Sequence, residues 1–100
     1  MPAYGFALIE EVMDQAGLQE YAGKVVELAA KFGGHYTIVS FEVTPLEGNF
    51  KPIGTAVIQF PDAQKLREFW DCAEYQPLVQ LRQRSARVNI IMVDAPESAS

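Results

Sequence analysis

The stretch from Ala73 to Arg87, AEYQPLVQLRQRSAR, decides the reading of this chain, because it carries a short helix directly into a closing strand. Leu78 and Leu81 mark the helix, and Pro77, which has no backbone N–H to donate, suits its first turn. Ala86 to Val93 (ARVNIIMV) then reads as a strand. Upstream, Thr55 to Phe60 (TAVIQF) is a strand that Pro61 stops. Asp62 stands where it can cap a helix begun at Ala63, and Ala63, Leu66, Phe69 and Trp70 give that helix one apolar stripe. A break near Asp71 and Cys72 separates it from the next helix.

The first half of the chain repeats this plan. Ala3 to Val12 is apolar on both alternations, with Tyr4, Phe6 and Leu8 pointing one way and Ala7 and Ile9 the other, as in a strand buried on both faces. From about Gln15 the period changes to three and four: Leu18, Tyr21, Ala22, Val25, Leu28, Ala29 and Phe32 form one helical stripe. Gly33 and Gly34 end it, since a glycine there can take the left-handed conformation that satisfies the last carbonyls. His35 to Val43 (HYTIVSFEV) suits a pleated strand. Thr44 to Gly54 (TPLEGNFKPIG), with two prolines and two glycines, is a long hairpin loop or flap.

The order is therefore β-α-β-β-α-β, the split arrangement of ferredoxin-like α+β folds, with the helices on one face of a four-stranded antiparallel sheet. The other face is left bare. Whichever residues meet the helices, the remainder includes several of Phe6, Leu8, Ile9, Val39, Phe41, Val57, Ile58, Ile90 and Ile91. That is more contiguous apolar surface than the few hundred Å² a monomer usually exposes, so the expected cover is a second copy, sheet against sheet.

Composition narrows the partners. One hundred residues make one domain, expected over residues 1–94, with residues 95–100 as a disordered tail. A net charge of −5 and a pI near 4.7 repel polyanions, which argues against nucleic acid. Of the arginines, Arg82, Arg84 and Arg87 lie close together, a run this short reading as a solvated helix end. No apolar stretch approaches the ~20 residues of a membrane helix, and the N-terminus has no basic region before its apolar run. A single cysteine, Cys72, cannot form an intrachain disulfide. These features fit a soluble cytoplasmic protein.

Four segments carry a resemblance beyond pattern: GGHY at Gly33 to Tyr36, LEG at Leu46 to Gly48, VIQFPD at Val57 to Asp62, and FWDCAEYQPLVQLRQRSA at Phe69 to Ala86. On these the chain resembles the domain-of-unknown-function family thirteen-thirty, which belongs to the dimeric α+β barrels. The resemblance runs from Pro2 to Asp94 and implies a homodimer whose two sheets form one barrel with the helices outside. The chain departs from the family pattern in three places. Ser40, Phe41 and Glu42 stand where Arg-Gly-Gly is usual, Phe50 stands for a loop tryptophan, and Cys72-Ala73 replaces Ser-Pro. The last change weakens a helix cap, because cysteine caps less well than serine.

Few residues point to chemistry. His35, the only histidine, sits at a helix-to-strand junction and is the candidate general base, with a plain strand-end hydrogen bond as its alternative role. Trp70 and Tyr75 bracket the break between the last helices and, with Tyr4, Tyr21 and Tyr36, are candidates to line an apolar cleft, or else belong to the core. Arg82 is the candidate clamp for a carboxylate, and a surface pair with Asp71, Glu74 or Glu68 is the competing reading. One histidine and one cysteine give no metal site, and no cofactor is expected. Cys72, between Asp71 and Glu74, is not read as a nucleophile.

Three functions follow as expectations. The first is a homodimeric module that binds a small apolar or aromatic molecule. The second, by analogy with other dimeric α+β barrels, is a cofactor-independent monooxygenase or isomerase acting on a small aromatic or carboxylate substrate. The third is a structural subunit whose Thr44 to Gly54 flap reaches a partner. A closed cavity lined by Trp70 and Tyr75 would mark the first, His35 or Arg82 in reach within it the second, and a filled interior with an exposed apolar flap the third.

Overall fold

The computed structural model describes residues 1–95; the expected tail lies, from residue 96 on, outside the described residues. Strand β1 (Ala3–Val12) leads into helix α1 (Gln15–Ala30), where the Asp14 carboxylate accepts from the Gly17 N–H at 3.1 Å and so caps the first turn. Gly33, at φ 83°, closes the helix in the left-handed region, as the paired glycines predict. After strands β2 (His35–Ser40) and β3 (Gly54–Phe60), Asp62 caps helix α2 (Ala63–Asp71) by accepting from the Lys65 N–H at 2.8 Å. Cys72 precedes a single 3₁₀ turn, Ala73–Tyr75, and makes no side-chain cap there. Helix α3 (Gln76–Ser85), with Pro77 in its first turn, runs straight into β4 (Ala86–Asp94). Ala95, assigned to the tail by the sequence, donates its N–H to the Pro2 carbonyl at 3.0 Å.

The four strands form one antiparallel sheet in the order β2-β3-β1-β4, the ferredoxin-like arrangement expected from the element order. Strand β2 is three residues shorter than the sequence suggests. Its last pair is Ser40 with Thr55, so Phe41 has only Gly54 opposite it, at the start of β3, and Glu42 and Val43 have no β3 residue to pair with. The Ser40 hydroxyl accepts the Glu42 N–H at 3.0 Å, and the chain turns away.

Register sorts the sheet into rows, because residues directly opposite on neighbouring strands share a face. One row, Val39, Ala56, Ala7 and Ile90, crosses all four strands on the face that meets the helices. The adjacent row, Ile38, Val57, Phe6 and Ile91, crosses all four on the other face. The core forms on the helix side, where Ala3, Ile58 and Phe60 pack against Val25, Leu28 and Ala29 of α1, Leu66 and Phe69 of α2, and Tyr75 and Leu78. On the open side Ile38 is 51% and Ile91 52% exposed, and Val93 adds to the same surface. The apolar sheet face expected from the sequence is present, uncovered in a single chain.

Candidate functional site

The helix-side row explains why a hollow exists. Its two central positions are alanines, Ala7 and Ala56, flanked by the larger Val39 and Ile90 on the outer strands. Among the α1 residues that face this row, Ala22 is also small. The result is a cleft of about 140 Å³ between α1 and the sheet, with Leu18, Val26 and Phe41 at its rim. A cavity of that size takes one aromatic ring. A smaller hollow of about 40 Å³ shares Ala7, Ala56 and Ile90 with it and extends to Phe69 and Tyr75.

Three polar side chains reach the cleft: Tyr21, Tyr36 and Arg82. Arg82 is there because Leu78, Arg82 and Ser85, spaced four and three apart, form the buried face of α3. Its guanidinium donates from Nη1 to the Tyr75 hydroxyl at 2.8 Å. The rings of Tyr21, Trp70 and Tyr75 surround the guanidinium carbon at 5.7, 5.8 and 6.0 Å, close enough for cation–π attraction.

Arg82 has no carboxylate partner among the described residues. The expected surface pairing with Asp71, Glu74 or Glu68 is corrected: Glu74 pairs with Lys31 and Glu68 with Lys65, while Arg82 is only 8% exposed. The reading of the arginine run as a solvated helix end holds for Arg84; Arg87 is exposed too but lies in β4, and Arg82 is turned inward by the helix period.

The hydrogen-bond order in the cluster is set by Arg82, which can only donate. Tyr75 accepts from it and is 2% exposed, so its own proton needs a partner inside the cluster, and we assign it to the Tyr21 hydroxyl 2.9 Å away. The Tyr21 proton is thereby left free to point into the cleft. Burial is the main reason the Tyr75 phenol is held well above its ordinary range; Tyr21 adds to the rise and Arg82 opposes it. Tyr36 is raised in the same way, first by burial and then by Tyr21, again against Arg82. Both are neutral donors near pH 7, not bases.

Of the residues singled out in the sequence, the structure brings Tyr36, Tyr75 and Arg82 together. Trp70 lies just outside, its ring 5.5 Å from that of Tyr75, over a shallow hollow beside Leu66, Arg67 and Met92. His35 is elsewhere. It is exposed and opposite Gln59, on the open face of the sheet, because it precedes Tyr36 and successive strand residues point to opposite faces. Tyr21, from the α1 stripe, reaches the cleft as well, whereas Tyr4 stands opposite Gln59 on the open face of the sheet and does not line it. Among the described residues no His, Cys, Asp and Glu side chains gather in a group that could hold a metal, and no helix is long and apolar enough to cross a membrane.

Similar architectures occur in solved structures. A dimeric ferredoxin-like protein of unknown function from Jannaschia sp. CCS1 is 12% identical over 95% of this chain and 100% of its own, with a TM-score of 0.77. RPA0582, a protein of unknown function from Rhodopseudomonas palustris, is 14% identical over 96% of this chain and 83% of its own, also at 0.77. SnoaB, a cofactor-independent oxygenase from Streptomyces nogalater, was solved as the mutant N63A and is 11% identical over 98% and 96%, at 0.70. At such identities the likeness is one of fold alone. No curated protein matches the chain. The family expected from the GGHY, VIQFPD and EYQPLVQLRQRSA segments is nonetheless recovered along nearly the whole sequence: residues 2–96 match the family described as Domain of unknown function (DUF1330), and the chain belongs to it.

Proposed function

We propose that residues 1–94 form one domain that pairs with a second copy through the open sheet faces, and that each protomer binds a small apolar or aromatic molecule of about one ring in the cleft over Ala7 and Ala56. The observation that carries the reading is the hollow itself. It is a cleft of about 140 Å³ open at the rim, apolar in its walls and fitted with three polar groups, the make-up of a small-molecule site. The dimer reading is supported by the Ile38-Val57-Phe6-Ile91 row and by relatives described as dimeric. The lone cysteine fits a reducing compartment such as the cytoplasm.

Binding is favoured over turnover by what lines the cleft. Arg82 can stabilise negative charge, but Tyr36 and Tyr75 stay protonated, and His35 faces away. The enzyme reading keeps two supports, Arg82 within the cleft and the shared fold of the cofactor-independent oxygenase. Use of the flap in an assembly draws on Leu46, which is 95% exposed.

A thermal-shift screen of the full chain with toluene, phenols, quinones and small carboxylic acids tests the reading. A ligand of the native state at 100 times its Kd adds about 2.7 kcal/mol of stability and raises Tm accordingly. Ala56→Leu, which fills the floor of the cleft, should fold and lose the shift. No shift with any compound, or the same shift in Ala56→Leu, contradicts the proposal.

A further inference from the structure

We infer that the molecule received by the cleft carries an acidic group, a carboxylate or an equivalent oxyanion on one ring or a short branched chain, held by Arg82 and the Tyr21 hydroxyl. This rests on the reading of the cleft as a ligand site and adds the charge of what enters it.

The lining side chains offer donors and no negative charge. Arg82 has no acceptor capacity, its side-chain hydrogen bond goes to Tyr75, and the Tyr21 proton is left over once Tyr75 has donated to Tyr21. Among the described residues no buried side-chain nitrogen or oxygen lacks a partner, so the guanidinium nitrogens not bonded to Tyr75 border accessible space. Arg82 also lines a second hollow, beside Met13 and Val88.

A buried cation without a counter-ion is costly, and the three surrounding rings offset that only in part. Among the described residues no carboxylate pairs with Arg82, and of its expected partners Glu68 pairs with Lys65 and Glu74 with Lys31. An oxyanion in the cleft would supply the missing charge through charge-assisted bonds, while its ring or chain fills the space over the two alanines. A cationic ligand would meet Arg82 at close range and be repelled, and a neutral amide would leave the charge uncompensated.

The test uses matched pairs of one shape, benzoate with benzamide and isovalerate with isovaleramide, titrated calorimetrically into the full chain at pH 7, together with toluene and benzylammonium. The expected result is that at least one carboxylate binds about tenfold or more tighter than its amide, and that benzylammonium does not bind. In Arg82→Met that ratio should fall to about one while toluene is retained, and Tyr21→Phe should lower it several-fold. The comparison within the unaltered chain needs no variant, so it decides the matter even where Arg82→Met does not fold. Amides binding as tightly as carboxylates would overturn the inference and leave the cleft reading standing. Failure of all these compounds, toluene included, would overturn both.

Discussion

The Arg82 guanidinium and the Tyr75 hydroxyl meet at 2.8 Å in the interior, seven residues apart in sequence, and this bond joins the start of α3 to its buried face. Removing only the oxygen tests its weight. Tyr75→Phe keeps the ring packed 4.5 Å from that of Phe69 but takes the acceptor from a buried, charged donor. The expected loss is about 1–3 kcal/mol, read as a lower urea midpoint with unchanged slope.

Alkaline titration reads the same cluster through its protons. Tyr36 and Tyr75 are raised above the ordinary phenol value of 10.0. Below pH ~10 both are protonated whether the chain is folded or not, so their contribution is fully present there. Above it the unfolded chain releases these protons while the folded one keeps them, and stability falls as pH rises. Of the four tyrosines, two should ionise in the ultraviolet spectrum only as the protein unfolds. Normal titration of all four in the folded chain would contradict the burial of the cluster.

Two glycines on α1 should respond with opposite signs. A Cβ at Gly23 meets open space, so Gly23→Ala gains helix propensity and should stabilise by about 0.5–1 kcal/mol. A Cβ at Gly17 would run into the Ser85 hydroxyl and the capping Asp14 carboxylate, where α1 crosses the end of α3. Gly17→Ala should destabilise despite the same propensity gain. Thermal unfolding of the two variants side by side checks this.

The open sheet face yields a prediction about mass. Ile91 lies in the exposed row beside Phe6, and Ile91→Lys puts a charge into any sheet-to-sheet contact. Sedimentation of the unaltered chain should give twice the 11.1 kDa of one copy, and the variant should dissociate or lose stability. A stably folded single chain at micromolar protein would remove the dimer and leave the face to another partner.

Much of this was legible in the sequence. Apolar period, the Asp62 cap and the glycines after Phe32 locate the elements to within a residue or two, because each depends on local chemistry. The end of β2 was not legible, since it depends on where β3 begins across the sheet. The inward turn of Arg82 was: Leu78, Arg82 and Ser85 keep helical spacing, but a charged residue on a core stripe reads first as a surface one. The cleft was not. Ala7 and Ala56 are unremarkable apart, and only the pairing that sets them side by side leaves room for a ring. His35 drew attention as the sole histidine, a matter of composition, while strand alternation sends it to the opposite face.

The most direct measurement is a crystal structure of the full chain grown with the tightest compound from the screen. Its ring should lie over Ala7 and Ala56, between Tyr21, Tyr36 and Arg82, in each protomer. A cleft that is collapsed, or filled by ordered water while the compound sits elsewhere, would contradict the account.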